Sequence, residues 1–168
     1  MQEILVMQTL DGLAPDDALQ SISQAIDFAA DQGDLELTTR ILVWGDQLEP
    51  RLELDLQRAL LDYFRANAWA NRQAAKQAEH GSAWSWDQPE LEQQVLLLRR
   101  ALGSPAFESL HVVRRCQILT NLANQLDTAG RFLESRQLWG RALSLQPVFW
   151  MARANCGRRR EGACIWPV

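Results

Sequence analysis

The side chains able to do chemistry in this chain are few, and their spacing favours recognition over catalysis. His80 and His111 stand far apart, and neither has a cysteine or carboxylate at metal-ligand spacing. Cys116, Cys156 and Cys164 are odd in number and form no CxxC pair, so a disulfide framework is not expected. A reducing cytoplasm is then the simplest compartment. Nucleophile elbow, phosphate loop, paired-carboxylate motif and dinucleotide fingerprint are all missing. The chain is therefore expected to act without cofactor or metal and not to be an enzyme.

Trp84 and Trp86 sit in the stretch Gly81-Ser82-Ala83-Trp84-Ser85-Trp86, where they either anchor a partner or fold back over the core. Arg158, Arg159 and Arg160, with Arg153 upstream, are the one concentrated positive charge. They either touch phosphates or form the solvated end of an incomplete helix. Cys116 and Cys156 read as small apolar residues, and Cys164 as an exposed thiol.

The elements that must position these residues are helical. The chain has 168 residues, 47% hydrophobic and 23% charged, enough for one domain with a core. A net charge of −4 argues against an electrostatic nucleic-acid binder. Ile4–Met7 and Val95–Leu98 are too short to span a bilayer, and Met1-Gln2-Glu3 lacks the positive start of a secretory signal. No membrane association is expected.

Along the chain, Leu19, Ile22, Ile26 and Ala29 recur at helical spacing up to Gly33, and Leu35, Ile41, Leu42 and Leu48 follow up to Pro50. A third helix is predicted from Leu52 to Lys76. Asp87 with Glu90 predicts a capping box opening a fourth, and Ser104-Pro105 predicts the start of a long fifth reaching Thr128. A sixth spans Arg131 to Leu145, and a seventh begins at Val148. Trp44, Trp69, Trp139 and Trp150 fall at core spacing. Gly33 and Pro50 are spaced like Gly130 and Pro147, and Leu35, Thr38, Leu42 and Gly45 hold the offsets of Phe132, Ser135, Trp139 and Ala142. That coincidence indicates an internal repeat, degenerate at Ile26.

The run Cys116 to Gly157 resembles the tetratricopeptide repeat, whose period is about 34 residues. Leu119, Leu122, Ala123 and Leu126 hold the first helix, Gly130 the turn, and Phe132, Ser135, Trp139 and Ala142 the second. The resemblance implies an all-α fold of about seven helices, antiparallel hairpins stacked into a short right-handed superhelix. One domain is expected over residues 1–157. It holds a degenerate repeat at 16–50, a repeat with an insertion at 52–105, the best repeat at 116–147 and an incomplete one from 148. Residues 158–168 form a tail expected to fray or to lie at an interface. The wider layout, through Arg115–Asn124 and Gly130–Ser135, is similar to the N-terminal part of bacterial tetratricopeptide-like proteins with a HEPN-type domain. The Arg-x4-His motif of HEPN ribonucleases is not carried by this chain, since Ala75 and Ala106 stand where the arginine would precede His80 and His111.

Such scaffolds bind a protein or peptide partner on their inner helices. The resemblance places Gln117, Thr120, Asn121, Asn124, Thr128 and Asn155 on that groove. Thr120 replaces the lysine of peptide-carboxylate binders, and the asparagines can equally bond neighbouring turns. The implied function is a protein–protein interaction scaffold, regulating a C-terminal effector domain. The alternatives are a non-catalytic fragment of a HEPN-type RNA-cleaving protein and a homo-oligomeric element joined through its uncapped C-terminal end.

Overall fold

The computed structural model describes residues 10–80 and 88–162. Seven α-helices follow one another among them: α1 (Pro15–Gln32), α2 (Leu35–Leu48), α3 (Asp55–His80), α4 (Pro89–Gly103), α5 (Val112–Thr128), α6 (Phe132–Leu145) and α7 (Trp150–Gly162). Short 3-10 turns occur at Leu10–Gly12, Glu49–Arg51 and Phe107–Ser109. Among the described residues there is no strand, and no helix is long and apolar enough to cross a membrane. The fold is all-α.

The chain divides into two compact units, Met1–Ala106 and Phe107–Val168. The division falls beside Pro105. In the first unit, the reversal between α1 and α2 is written in two residues. Gly33 takes the left-handed conformation (φ 64°) and donates its N–H to Ala30 O, while Asp34 N–H reaches back to Ala29 O at 3.0 Å. The Asp34 carboxylate accepts the Leu37 N–H at 2.8 Å, so the helix that ends at Gly33 hands over at once to the next. α3 packs on both members of this hairpin, and α4 runs along α3.

The second unit repeats the plan. Gly130 (φ 78°) donates to Asp127 O at 3.0 Å and Arg131 N–H to Leu126 O at 2.7 Å, the same two bonds in the same register as at Gly33. α6 lies on α5, and α7 packs against both. The hairpins also bury matching positions: Ile22 and Leu119, Ala25 and Leu122, Ala29 and Leu126, Thr38 and Ser135, Ile41 and Leu138, Gly45 and Ala142. The degenerate position follows from volume. Ile26 and Leu42 fill one hairpin where Ala123 and Trp139 fill the other, so the bulk moves from the second helix to the first while all four stay buried.

Several boundaries differ from the sequence expectation. α3 begins at Asp55 rather than Leu52 and continues to His80. α4 takes Gln88 as its N-cap and Pro89 in its first turn, with no side-chain cap bond. The predicted capping box of Asp87 with Glu90 falls on Asp87, which lies outside the described residues. Ser104 does not open α5. It caps the end of α4, and its hydroxyl accepts the Ala106 N–H at 3.2 Å. The next turn buries Phe107, beneath the Arg115 guanidinium, and Leu110, and α5 starts only at Val112. Its N-cap is His111, whose Nδ1 accepts the Val113 N–H at 3.3 Å. Two apolar side chains that must reach the core thus override the Ser-Pro start signal. α7 includes Arg158, Arg159 and Arg160 in its helix, with their side chains outside the described residues.

Candidate functional site

On α5, Gln117, Asn121, Asn124 and Thr128 recur at the spacing that places them along one helix face. The first three are part-exposed and Thr128 is exposed. Thr120 is not among them. It is fully buried, its hydroxyl has no hydrogen-bond partner among the described residues, and it does not line a groove. The sequence reading misplaced it because one residue of helical rotation separates the polar face from the core.

Asn124 ties three helices together. Its Oδ1 accepts the indole N–H of Trp139 on α6 at 3.1 Å and the amide N–H of Asn155 on α7 at 2.8 Å. Trp139 is 2% exposed, so without that acceptor its indole donor would be buried unsatisfied. The Thr128 hydroxyl donates to the Asn124 backbone carbonyl at 3.0 Å. Asn124 and Asn155 meet through this bond, and the meeting serves packing. The Trp139 bond was legible as two separate signals, a core tryptophan and a groove asparagine, but not as a pair.

At the start of α7, Trp150 is 72% exposed and Val148 70%, while Phe149 between them is buried. Trp150 is thus not a core residue. Phe149 and Ala152 set the inward phase of this helix, and Trp150 falls on the other side. Trp44 and Trp69 are intermediate, and the Arg72 guanidinium lies over the Trp69 ring at 5.7 Å. Trp84, Trp86 and Cys164 lie outside the described residues.

The first unit carries a charged lattice that the sequence reading did not find. Arg58, Arg65 and Arg72 recur every two turns along α3. Arg58 bonds Asp55 and the Leu52 carbonyl. Arg65 pairs with Asp46 and, at 2.8 Å, with Glu49. Arg72 reaches Thr39 on α2 and Glu90 on α4. From α4, Arg100 meets Glu49 at 2.7 Å and Asp62 at 3.2 Å. Gly45 leaves room for this, because a Cβ there would stand 3.0 Å from the Arg65 side chain. The heptad recurrence of arginine was the available signal.

These surroundings shift the acids in opposite directions. Burial pushes the Asp62 carboxyl from 3.8 up to about 6, against the pull of Arg100. The Arg100 hydrogen bond does most to hold Glu49 below the ordinary glutamate value, with Arg65 adding to it and burial opposing. Burial also raises Glu90, but the hydrogen bond from Lys76 and the charges of Lys76 and Arg72 outweigh it, and the net shift is downward. Cys116 is buried, with its Sγ 3.5 Å from the Ala142 carbonyl, and burial raises its thiol. Among the described residues no group of three His, Cys, Asp or Glu side chains is placed to hold a metal ion.

The arrangement offers hydrogen-bonding carboxamides along α5 and α7 and an aromatic side chain at the head of α7. Compared with known proteins, the chain matches no family model, no curated protein and no solved structure.

Proposed function

We propose that the chain is a protein-recognition scaffold that takes an extended segment of a partner along α5 and α7. The reading rests on the polar stripe Gln117, Asn121, Asn124 and Thr128, set beside Asn155 by the Asn124–Asn155 bond. Carboxamides on a rigid helix face suit a peptide backbone, since the group carries both donor and acceptor without a desolvated charge, and the Asn124 Oδ1 is committed to Trp139 and Asn155. Two hairpins closed by the same glycine bonds, each covered by a further helix, fit the tetratricopeptide plan that the sequence resembles. In this reading the scaffold regulates an effector rather than catalysing a reaction, and Thr120 belongs to its core.

Panning a random-peptide library against the whole chain tests the proposal. Selected peptides are expected to lose at least about tenfold in affinity for Gln117→Ala/Asn121→Ala, a loss of roughly 1.4 kcal/mol. Peptides that bind both proteins equally would remove the α5 stripe from recognition.

A second reading, self-association, is favoured by one observation. Val148 and Trp150 together expose apolar surface at the start of α7, and tryptophan is the kind of side chain that anchors interfaces. Light scattering on the wild type and Trp150→Ser separates the two. A dimer that dissociates in the variant supports self-association, and a monomer in both leaves α5 and α7 to a partner.

A further inference from the structure

Asp62 sits in an unusual position for a carboxylate: it is 5% exposed and faces a guanidinium that it shares. Arg100, half-way out to solvent, gives its Nε to Asp62 on α3 and an Nη to Glu49 at the end of α2. Two acids on two elements therefore divide one cation on a third. The other charges around Asp62 are committed. Arg65, on the same helix, is held by Asp46 and Glu49. Arg58, one turn earlier, is held by Asp55 and the Leu52 carbonyl. From α1, Asp16 is engaged by Gln57 at 2.9 Å.

We propose that Glu49, Asp62 and Arg100 form a proton-governed brace in which Arg100 on α4 passes from two acids, one on α3 and one at the end of α2, to Glu49 alone. With Asp62 ionised, Arg100 spans both acids and binds α4 to both elements. When Asp62 takes up a proton its charge is gone, and Arg100 is given over to Glu49. Glu49 keeps its charge at that point because Arg100 and Arg65 hold it below the ordinary glutamate value, whereas Asp62 takes its proton at about 6. Mild acid therefore changes one partner of Arg100 and leaves the other. The Arg65–Glu49–Arg100 chain that remains joins α3 and α4 through the end of α2.

Carbon-detected NMR titration of the Asp62 carboxyl in the whole chain, with the Arg100 Nε–H followed in parallel, tests the brace. The wild-type carboxyl is expected to titrate near pH 6, with the Arg100 signal moving through the same midpoint. Glu49→Gln should lower that midpoint, since it removes the competing acid, and Arg100→Gln should raise it. In Asp62→Asn the Arg100 signal should stay flat between about pH 5 and 7. An Asp62 midpoint near the ordinary value of about 4 would overturn the proposal. So would a midpoint that neither variant moves, or an Arg100 signal that ignores the titration. The wild-type titration alone can sink it, so a variant that fails to fold does not protect the idea.

Discussion

Asn124 shows how one side chain can hold a unit together, and it sets the first prediction. Its Oδ1 carries both the Trp139 and the Asn155 bonds, so Asn124→Ala leaves a buried indole donor unsatisfied. A loss of about 2 kcal/mol in denaturant unfolding is expected, and Trp139→Phe should recover part of it in the double variant. Thr120 predicts the opposite sign. Its buried hydroxyl has no partner, so Thr120→Val should be neutral or stabilising by up to about 1 kcal/mol. A destabilisation above about 2 kcal/mol would reveal a bond from that hydroxyl. Asp62 predicts a pH dependence of stability. Its folded value lies above its unfolded one, so its contribution is fully present below about 3.8 and is lost as pH rises through about 6. Between about pH 5 and 7 the wild type should lose roughly 1 kcal/mol more than Asp62→Asn, measured by urea unfolding at each pH.

At the scale of elements, the helix ends show what sequence can and cannot express. Gly33 and Gly130 were legible because a residue with positive φ that ends a helix is nearly always glycine. Gly33→Ala and Gly130→Ala should each cost about 1 kcal/mol or more from backbone strain, with no Cβ contact to blame. Gly45→Ala tests a different cause. It lies within a helix, where alanine is favoured by about 1 kcal/mol, but its Cβ would press on Arg65. A gain therefore requires Arg65 to shift off Asp46 and Glu49. The start of α5 was misread because Ser104 and Pro105 carry a local start signal, while the burial of Phe107 and Leu110 that overrides it is tertiary. Trp150 was misread for a similar reason. A one-residue change in where α7 begins turns a core position outward, and Phe149 beside it is an equally good core candidate. The acid–arginine lattice escaped because its pairs, such as Glu49 with Arg100, lie far apart in sequence and only the fold joins them.

For the whole molecule, the two units have different means of support. The first carries the charged lattice across α2, α3 and α4, whereas the ion pairs of the second, Arg115–Glu108 and Arg131–Glu134, are local in sequence and its helices are joined by the Asn124 junction and apolar packing. Part-exposed ion pairs weaken with salt, so amides in α3 and α4 should exchange faster at about 1 M salt than at low salt, relative to those of α5 and α6. Hydrogen exchange with mass spectrometry reads both sets in one sample. Equal responses in the two units would mean that the lattice contributes little. Glu49 and Glu90 point the same way, since their lowered values mean that the stability they supply is present above about 4.5 and fades as pH falls below it. The proposed recognition, by contrast, would draw on uncharged carboxamides and should resist salt. The most direct measurement is therefore the affinity of a selected peptide for the wild type, for Gln117→Ala/Asn121→Ala and for Thr120→Val. Recognition along α5 predicts at least about a tenfold loss in the double variant and wild-type affinity in Thr120→Val. Equal binding by all three would contradict it.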